Sequence, residues 1–113
     1  MSLQPVPIQN VPGVPDYTCT AFLPKSSDYC LLIPVINEGS RILTELGRAQ
    51  KAGVDRLVDI VICDGGSTDG SMNPDTLELY GVNTLLIKTG PGKQGAQLRM
   101  GLHFALTFGY KGV

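Results

Sequence analysis

Three times along this chain an apolar, strand-like run gives way to an amphipathic stretch that stops on a glycine. The runs are Cys30–Val35, Val58–Cys63 and Val82–Ile87, and the stretches after them stop at Gly53, Gly81 and Gly109. Short, continuous apolar runs are the mark of strands buried on both faces. A glycine just past a periodic stretch suits the left-handed cap that closes a helix. Strand and helix in alternation predict an α/β fold, a parallel sheet with flanking helices and right-handed crossovers. Asn37 is the expected N-cap of the first helix, whose apolar stripe is Ile42, Leu46 and Ala49. The second helix is expected from Pro74 to Tyr80, with proline at its first position. The third carries Leu98, Leu102 and Ala105 at helical spacing. Tyr110–Val113 falls where a fourth strand is due, so the domain reads as truncated there.

Residues 1–29 form an extended, proline-rich N-terminal segment in this reading, with a short strand over Tyr17–Leu23 closed off by Pro24–Asp28. Residues 30–113 form the main unit. A three-stranded parallel sheet leaves an open edge, which invites self-association.

Bulk properties remove several classes of function. A net charge of −1 supplies no basic field, so nucleic acid is not an expected partner. Forty-two per cent apolar residues suffice for a core. No apolar run approaches the roughly 20 residues that span a bilayer, and no signal-peptide core follows the start. The expected location is the cytoplasm, with the cytoplasmic membrane face as the variant. Three cysteines, Cys19, Cys30 and Cys63, are odd in number and match no metal spacing. Cys30 and Cys63 lie in expected strands and read as small apolar residues.

Chemistry should gather on the loops that follow the strands, because ligands of open α/β sheets sit outside the strands' carboxyl ends. The first loop is Pro34-Val35-Ile36-Asn37-Glu38-Gly39, and the second is Asp64-Gly65-Gly66-Ser67-Thr68-Asp69-Gly70-Ser71. The third runs from Gly90 to Gly101 and contains Lys93, Gly95 and Arg99. Glycines let the backbone approach a ligand, and a helix N-terminus offers amides to phosphate. Lys93 and Arg99 add cationic donors. A carboxylate such as Asp64 suits the N–H and O–H donors of a base or a sugar. Each feature also has a plainer reading. Asn37 and Glu38 serve as a cap and a first-turn acid, Lys93 and Arg99 as solvated charges, and Asp69 as a cap of the turn or of the second helix. His103 and Tyr110 read as structural.

Ile33-Pro34-Val35-Ile36-Asn37-Glu38-Gly39, the Asp64–Ser71 run and Gly92-Lys93-Gln94-Gly95-Ala96-Gln97-Leu98-Arg99-Met100-Gly101 together resemble the family 2 glycosyltransferases. The third run is similar to the Gly-Lys-Gly-Ala-x-x-Arg-x-Gly of the dolichyl- and polyprenyl-phosphate sugar transferases. The resemblance implies the Rossmann-like nucleotide-diphospho-sugar transferase fold called GT-A, and transfer of a sugar with inversion from a nucleotide-diphospho-sugar donor. It implies polyprenyl phosphate as a candidate acceptor. Pro34, Asn37 and Glu38 match the first nucleotide loop, Asp64, Gly66 and Ser67 the second, and Lys93, Gly95 and Arg99 the segment beside the donor phosphates. The second acid of the family's Asp-Asp-Gly-Ser is Gly65 here. Magnesium or manganese is expected for the full-length enzyme, but its ligands and the catalytic base belong to positions after Val113. No metal ligand and no catalytic residue is therefore assigned within this chain.

Two rival readings come from other classes. Gly90-Pro91-Gly92-Lys93-Gln94-Gly95 satisfies the G-x-G-x-x-G of dinucleotide-binding domains, though on the third unit rather than the first. A non-catalytic module that keeps the nucleotide-sugar fold is the other.

Overall fold

The computed structural model describes residues 6–8, 14–90 and 94–113. Among these residues five strands appear: β1 (Val6–Ile8), β2 (Tyr17–Ala21), β3 (Cys30–Val35), β4 (Asp59–Asp64) and β5 (Val82–Lys88). Between and after them lie α1 (Arg41–Lys51), α2 (Val54–Leu57), α3 (Pro74–Leu79) and α4 (Gln94–Thr107). The fold is a mixed α/β arrangement with helices on both faces of one sheet, ordered β1-β2-β5-β4-β3. Gly53, Gly81 and Gly109 all take positive φ, as their place after the helical stretches predicts.

β3, β4 and β5 are parallel, with Val35 opposite Asp64 and Asp64 opposite Ile87 at their carboxyl ends. The expectation of a purely parallel sheet is corrected by β2, which pairs antiparallel with β5 from Tyr17–Lys88 to Ala21–Thr84. The connection explains the direction. β2 ends at Ala21 opposite Thr84, beside the amino end of β5, and residues 22–29 run along the amino ends of the strands to the start of β3, so β2 has to point against β3–β5. The flank of β5 is thus covered. On the other edge, at β3, Tyr29 meets Gly112 in a parallel bridge.

The sheet sorts its side chains into two cores. Cys30, Val61, Cys63 and Leu86 face α4, with Tyr17 from β2. Val35, Ile60, Ile62, Val82 and Leu85 face α1 and α3 through Ile42, Leu46 and Leu77. The first helix's stripe is as expected at Ile42 and Leu46. The stripe expected on α4 is rotated: Leu98 and Leu102 are exposed, while Ala96, Gln97, Met100, Phe104 and Ala105 are buried. Gly101 sets this face. A Cβ there would stand 2.7 Å from Cys63 Sγ and 3.1 Å from Leu32 Cδ1, so the bare backbone lets the helix lie directly on the strands.

Asn37 does not cap α1. The cap position is Ser40, without a side-chain bond, and Asn37 is used elsewhere. Asn73 caps α3, accepting from the amides of Asp75 and Thr76. The four-residue α2 is too short to show a helical period in the sequence.

At the amino end of β4, Asp59 is buried at 2 % exposure. It accepts from Ser26 N at 3.0 Å, Ser26 Oγ at 2.6 Å and Tyr110 Oη at 2.6 Å. One carboxylate thus ties the segment before β3 and the segment after α4 to the middle of the sheet. His103 meets the Tyr17 hydroxyl at 2.7 Å through Nδ1, which pins β2 beneath α4.

All three cysteines are free. Burial, the largest cause in each case, pushes the Cys63 thiol up to about 12 and those of Cys19 and Cys30 to about 11. The folded chain therefore holds these protons to higher pH than the unfolded chain does. Their contribution to stability is complete below the ordinary thiol value of 9.0 and is lost as pH rises towards 12. Urea midpoints should accordingly fall between pH 9 and pH 11 and stay level between pH 7 and pH 8.5 as far as the thiols are concerned; a shallower fall between pH 9 and pH 10 in a Cys19→Ser/Cys30→Ala/Cys63→Ala protein checks the assignment, since the buried Tyr17 and Tyr110 hydroxyls add their own loss above pH 10.

Candidate functional site

The loops after β3 and β4 are bound to each other. Gly65 N donates to Val35 O at 2.9 Å, which extends the parallel ladder into the second loop. Asn37 N donates to Ser67 Oγ at 2.9 Å, and Asn37 Oδ1 accepts from Thr68 N at 2.8 Å. Gly39 N donates to Asp69 Oδ2 at 3.0 Å. Asn37 reaches this arrangement with φ of +46°, a conformation that asparagine tolerates better than most side chains. Two loops far apart in sequence become one surface at the carboxyl end of the sheet.

Asp64, the acid that the sequence places at this edge, is 2 % exposed. Its carboxylate accepts from Gly66 N, Ser67 N and Ser67 Oγ. A hydrogen-bonded line therefore runs from Asn37 N–H through the Ser67 hydroxyl to Asp64. Ser67 N reaches both oxygens, so four contacts occupy the carboxylate's roughly four acceptor positions, and the group organises its own loop. Gly66 takes φ of +103°, which brings its backbone close to Lys88 O.

Glu38 is turned to Arg41, with 2.9 Å between Oε1 and Nη2. Pro34 lies within β3, one residue before its end, where its missing N–H sits on an edge strand. Asp69 accepts from Ser71 Oγ at 2.6 Å and Ser71 N at 3.0 Å. These bonds, Ser71 first and then Gly39, hold its carboxyl below the usual carboxylate range. The contacts are present above the ordinary aspartate value and are lost as pH falls through the lowered one. Asp69 thus caps the turn and joins the loops, and Asn73, not Asp69, caps α3.

The start of α4 forms the third side. Arg99 lies with Nη1 3.4 Å from where a Cβ on Gly95 would stand. The guanidinium thus folds back beside Gly95, towards the first turn of the helix. Lys93 lies outside the described residues, as does Gly92. Gly90, the first glycine of the dinucleotide-like spacing, has a packing reason for its size. A Cβ there would meet Asp16 N at 2.8 Å. Among the described residues, no three His, Cys, Asp or Glu side chains come together as a cation site. Also among them, no helix is long and apolar enough to cross a membrane.

Two residues at this edge escape the sequence reading. Lys88 ends β5 and donates to Gly90 O at 2.7 Å, so the third loop leaves the sheet around its side chain. Gln97 lies on the buried side of α4, with Nε2 2.8 Å from Val35 O and 2.9 Å from Cys63 O. Its sequence signal was a polar residue at helical spacing between Ala96 and Met100, inside an otherwise apolar face.

Asn37→Ala should cost about 1–2 kcal/mol, because alanine loses the bond to Thr68 and is disfavoured at positive φ. Asn37→Gly removes only the bond, and its urea midpoint should fall between those of wild type and Asn37→Ala. A midpoint for glycine below that of alanine would show that the backbone angle is not what asparagine supplies.

In comparisons with family models, curated proteins and solved structures, nothing matches this chain.

Proposed function

We propose that the chain carries the nucleotide-recognition part of a sugar transferase that draws on a nucleotide-diphospho-sugar donor, built on a GT-A, Rossmann-like plan. One observation carries the reading. The loops after two parallel strands are cross-bonded through Asn37, Ser67 and Asp64, and the first turns of α4, which carry Arg99, lie at the same sheet edge. A nucleoside has N–H and O–H groups for the first pair of loops. Its diphosphate has oxygens for the helix amides and the guanidinium. The motif resemblance supports the same division of labour, with Asp64, Ser67 and Asn37 on the nucleoside side and Gly95, Arg99 and Lys93 on the phosphate side.

In such a site the protein's part is to bind and orient the donor. A fork of planar donors beside the diphosphate stabilises its charge, and the rigid loop pair fixes the nucleoside's angle. The divalent ion that the resemblance implies would supply positive charge to the donor's diphosphate and would need oxygen ligands such as carboxylates. No such carboxylate group assembles among the described residues, so no step is assigned to a metal here. Polyprenyl phosphate stands as the proposed acceptor on the likeness of the third motif alone.

Calorimetric titration with UDP and GDP, each against its nucleoside, tests the reading. One of the two diphosphates should bind. Arg99→Ala should weaken it by roughly tenfold or more, the worth of a charge-assisted hydrogen bond, and leave the nucleoside unchanged. Binding of reduced nicotinamide cofactor in preference to both diphosphates would favour the dinucleotide reading instead.

A further inference from the structure

We propose that Gln97 is a positioning residue that locks the two ligand-facing loops into one platform, and that its carboxamide is the reason position 65 carries no side chain. The proposal rests on the nucleotide reading for its functional meaning and on geometry for its substance. Gln97 is 4 % exposed, deep under the first turns of α4. Its Nε2 spends its two hydrogens on carbonyls of two different strands, Val35 O at the end of β3 and Cys63 O near the end of β4. Those carbonyls flank the last parallel pair, Val35–Asp64, the point from which both loops depart. One side chain from the third segment therefore holds the roots of the first two.

The space above Gly65 is where this carboxamide lies. A Cβ at 65 would stand 3.0 Å from Gln97 Cδ and 3.1 Å from both Nε2 and Oε1. All three nearest atoms belong to the same group, which is fixed by two hydrogen bonds. Gly65 has no positive φ to explain it, in contrast to Gly66 next to it. Its bareness is thus a matter of room, and the room is taken by Gln97. A Cβ at 65 fits only if the carboxamide at 97 gives way by a few tenths of an ångström.

Three variants separate positioning from plain stability. Gln97→Met keeps the length and loses the donors. Gly65→Ala keeps Gln97 but presses on its carboxamide. The double variant Gly65→Ala/Gln97→Ala removes both the pressure and the tie. Amide spectra of the nucleotide-free protein should show residues 36–39 and 65–69 displaced or broadened in Gln97→Met, with β5 and α3 unchanged. Gly65→Ala should reproduce that pattern, and the double variant should show no more than Gln97→Met does. UDP or GDP, whichever wild type binds, should lose about tenfold or more in affinity, with nucleoside and diphosphate weakened alike, as expected when a pre-formed surface is loosened. Uniform spectral change together with a lower urea midpoint, or additive effects of the two sites, would overturn the proposal. If wild type binds neither UDP nor GDP, the nucleotide reading falls, and the loop spectra still decide the role of Gln97.

Discussion

Valine at position 101 should cost the protein about 3 kcal/mol of its stability. The Gly101 backbone lies so close to the sheet that even a Cβ would come within 2.7 Å of Cys63 Sγ and 3.1 Å of Leu32 Cδ1. Cys63 is fully buried in β4, an interior strand, so its sulfur has little free space to move into. Overpacking a filled core costs about 1–3 kcal/mol, and a branched side chain on a helix facing a strand belongs at the upper end. At about 4–8 °C per kcal/mol for a domain of this size, the melting temperature should fall by roughly 10–20 °C. Gly101→Ala should be milder, because alanine recovers about 1 kcal/mol of helix propensity over glycine. The pairing Gly101→Ala/Cys63→Ala should recover part of the loss, since it removes the sulfur that the new methyl meets. A Gly101→Val protein that melts with wild type would mean that α4 does not rest on Cys63.

Asp59→Ala should cost about 3 kcal/mol, although the residue lies far from the candidate site. Its carboxylate takes three donors in a place with almost no solvent. Hydrogen bonds to charged groups contribute about 1.5–3 kcal/mol each, and deletion also strands the Tyr110 hydroxyl and the Ser26 amide. Tyr110→Phe removes one donor and should cost about 1–2 kcal/mol. In the Tyr110→Phe background, Asp59→Ala should do less damage than it does alone, because one of its partners has already gone. Chemical denaturation of the four proteins gives the coupling. Strict additivity would show that the two groups do not share a bond.

The strands that carry the site were legible because each is a compact apolar run, and Cys30–Val35 and Val82–Lys88 match their expected bounds within a residue. The direction of β2 was not, since Tyr17–Ala21 looks the same read either way and its partner lies far along the chain. The buried face of α4 was misread for a related reason. Leucines draw attention at Leu98 and Leu102, but a helix turns its smallest residues to a surface it must approach closely. Gly101 decided the matter, and of the expected stripe only Ala105 is buried. Within the site, Asn37, Asp64 and Ser67 were brought together as expected, but through bonds between loops that no local pattern encodes. Asp59 escaped notice because an acid at the first position of a strand looks like a turn residue until its partners, Ser26 and Tyr110, arrive from both sides.

The antiparallel pairing of β2 with β5 sets the order in which the chain can assemble as it is made. Synthesis runs from the N-terminus, so β2 leaves the ribosome well before the strand that will neighbour it. β3 and β4 can pair in the meantime, with α1 already packed between them in sequence. β5 then has two flanks to satisfy at once, β4 on one side and the waiting β2 on the other. Long-range closure of this kind slows folding. It also makes the interval before Val82–Lys88 emerges the period in which the nascent chain most needs shielding, so pausing of translation upstream of residue 82 should lower the soluble yield more than pausing after residue 88.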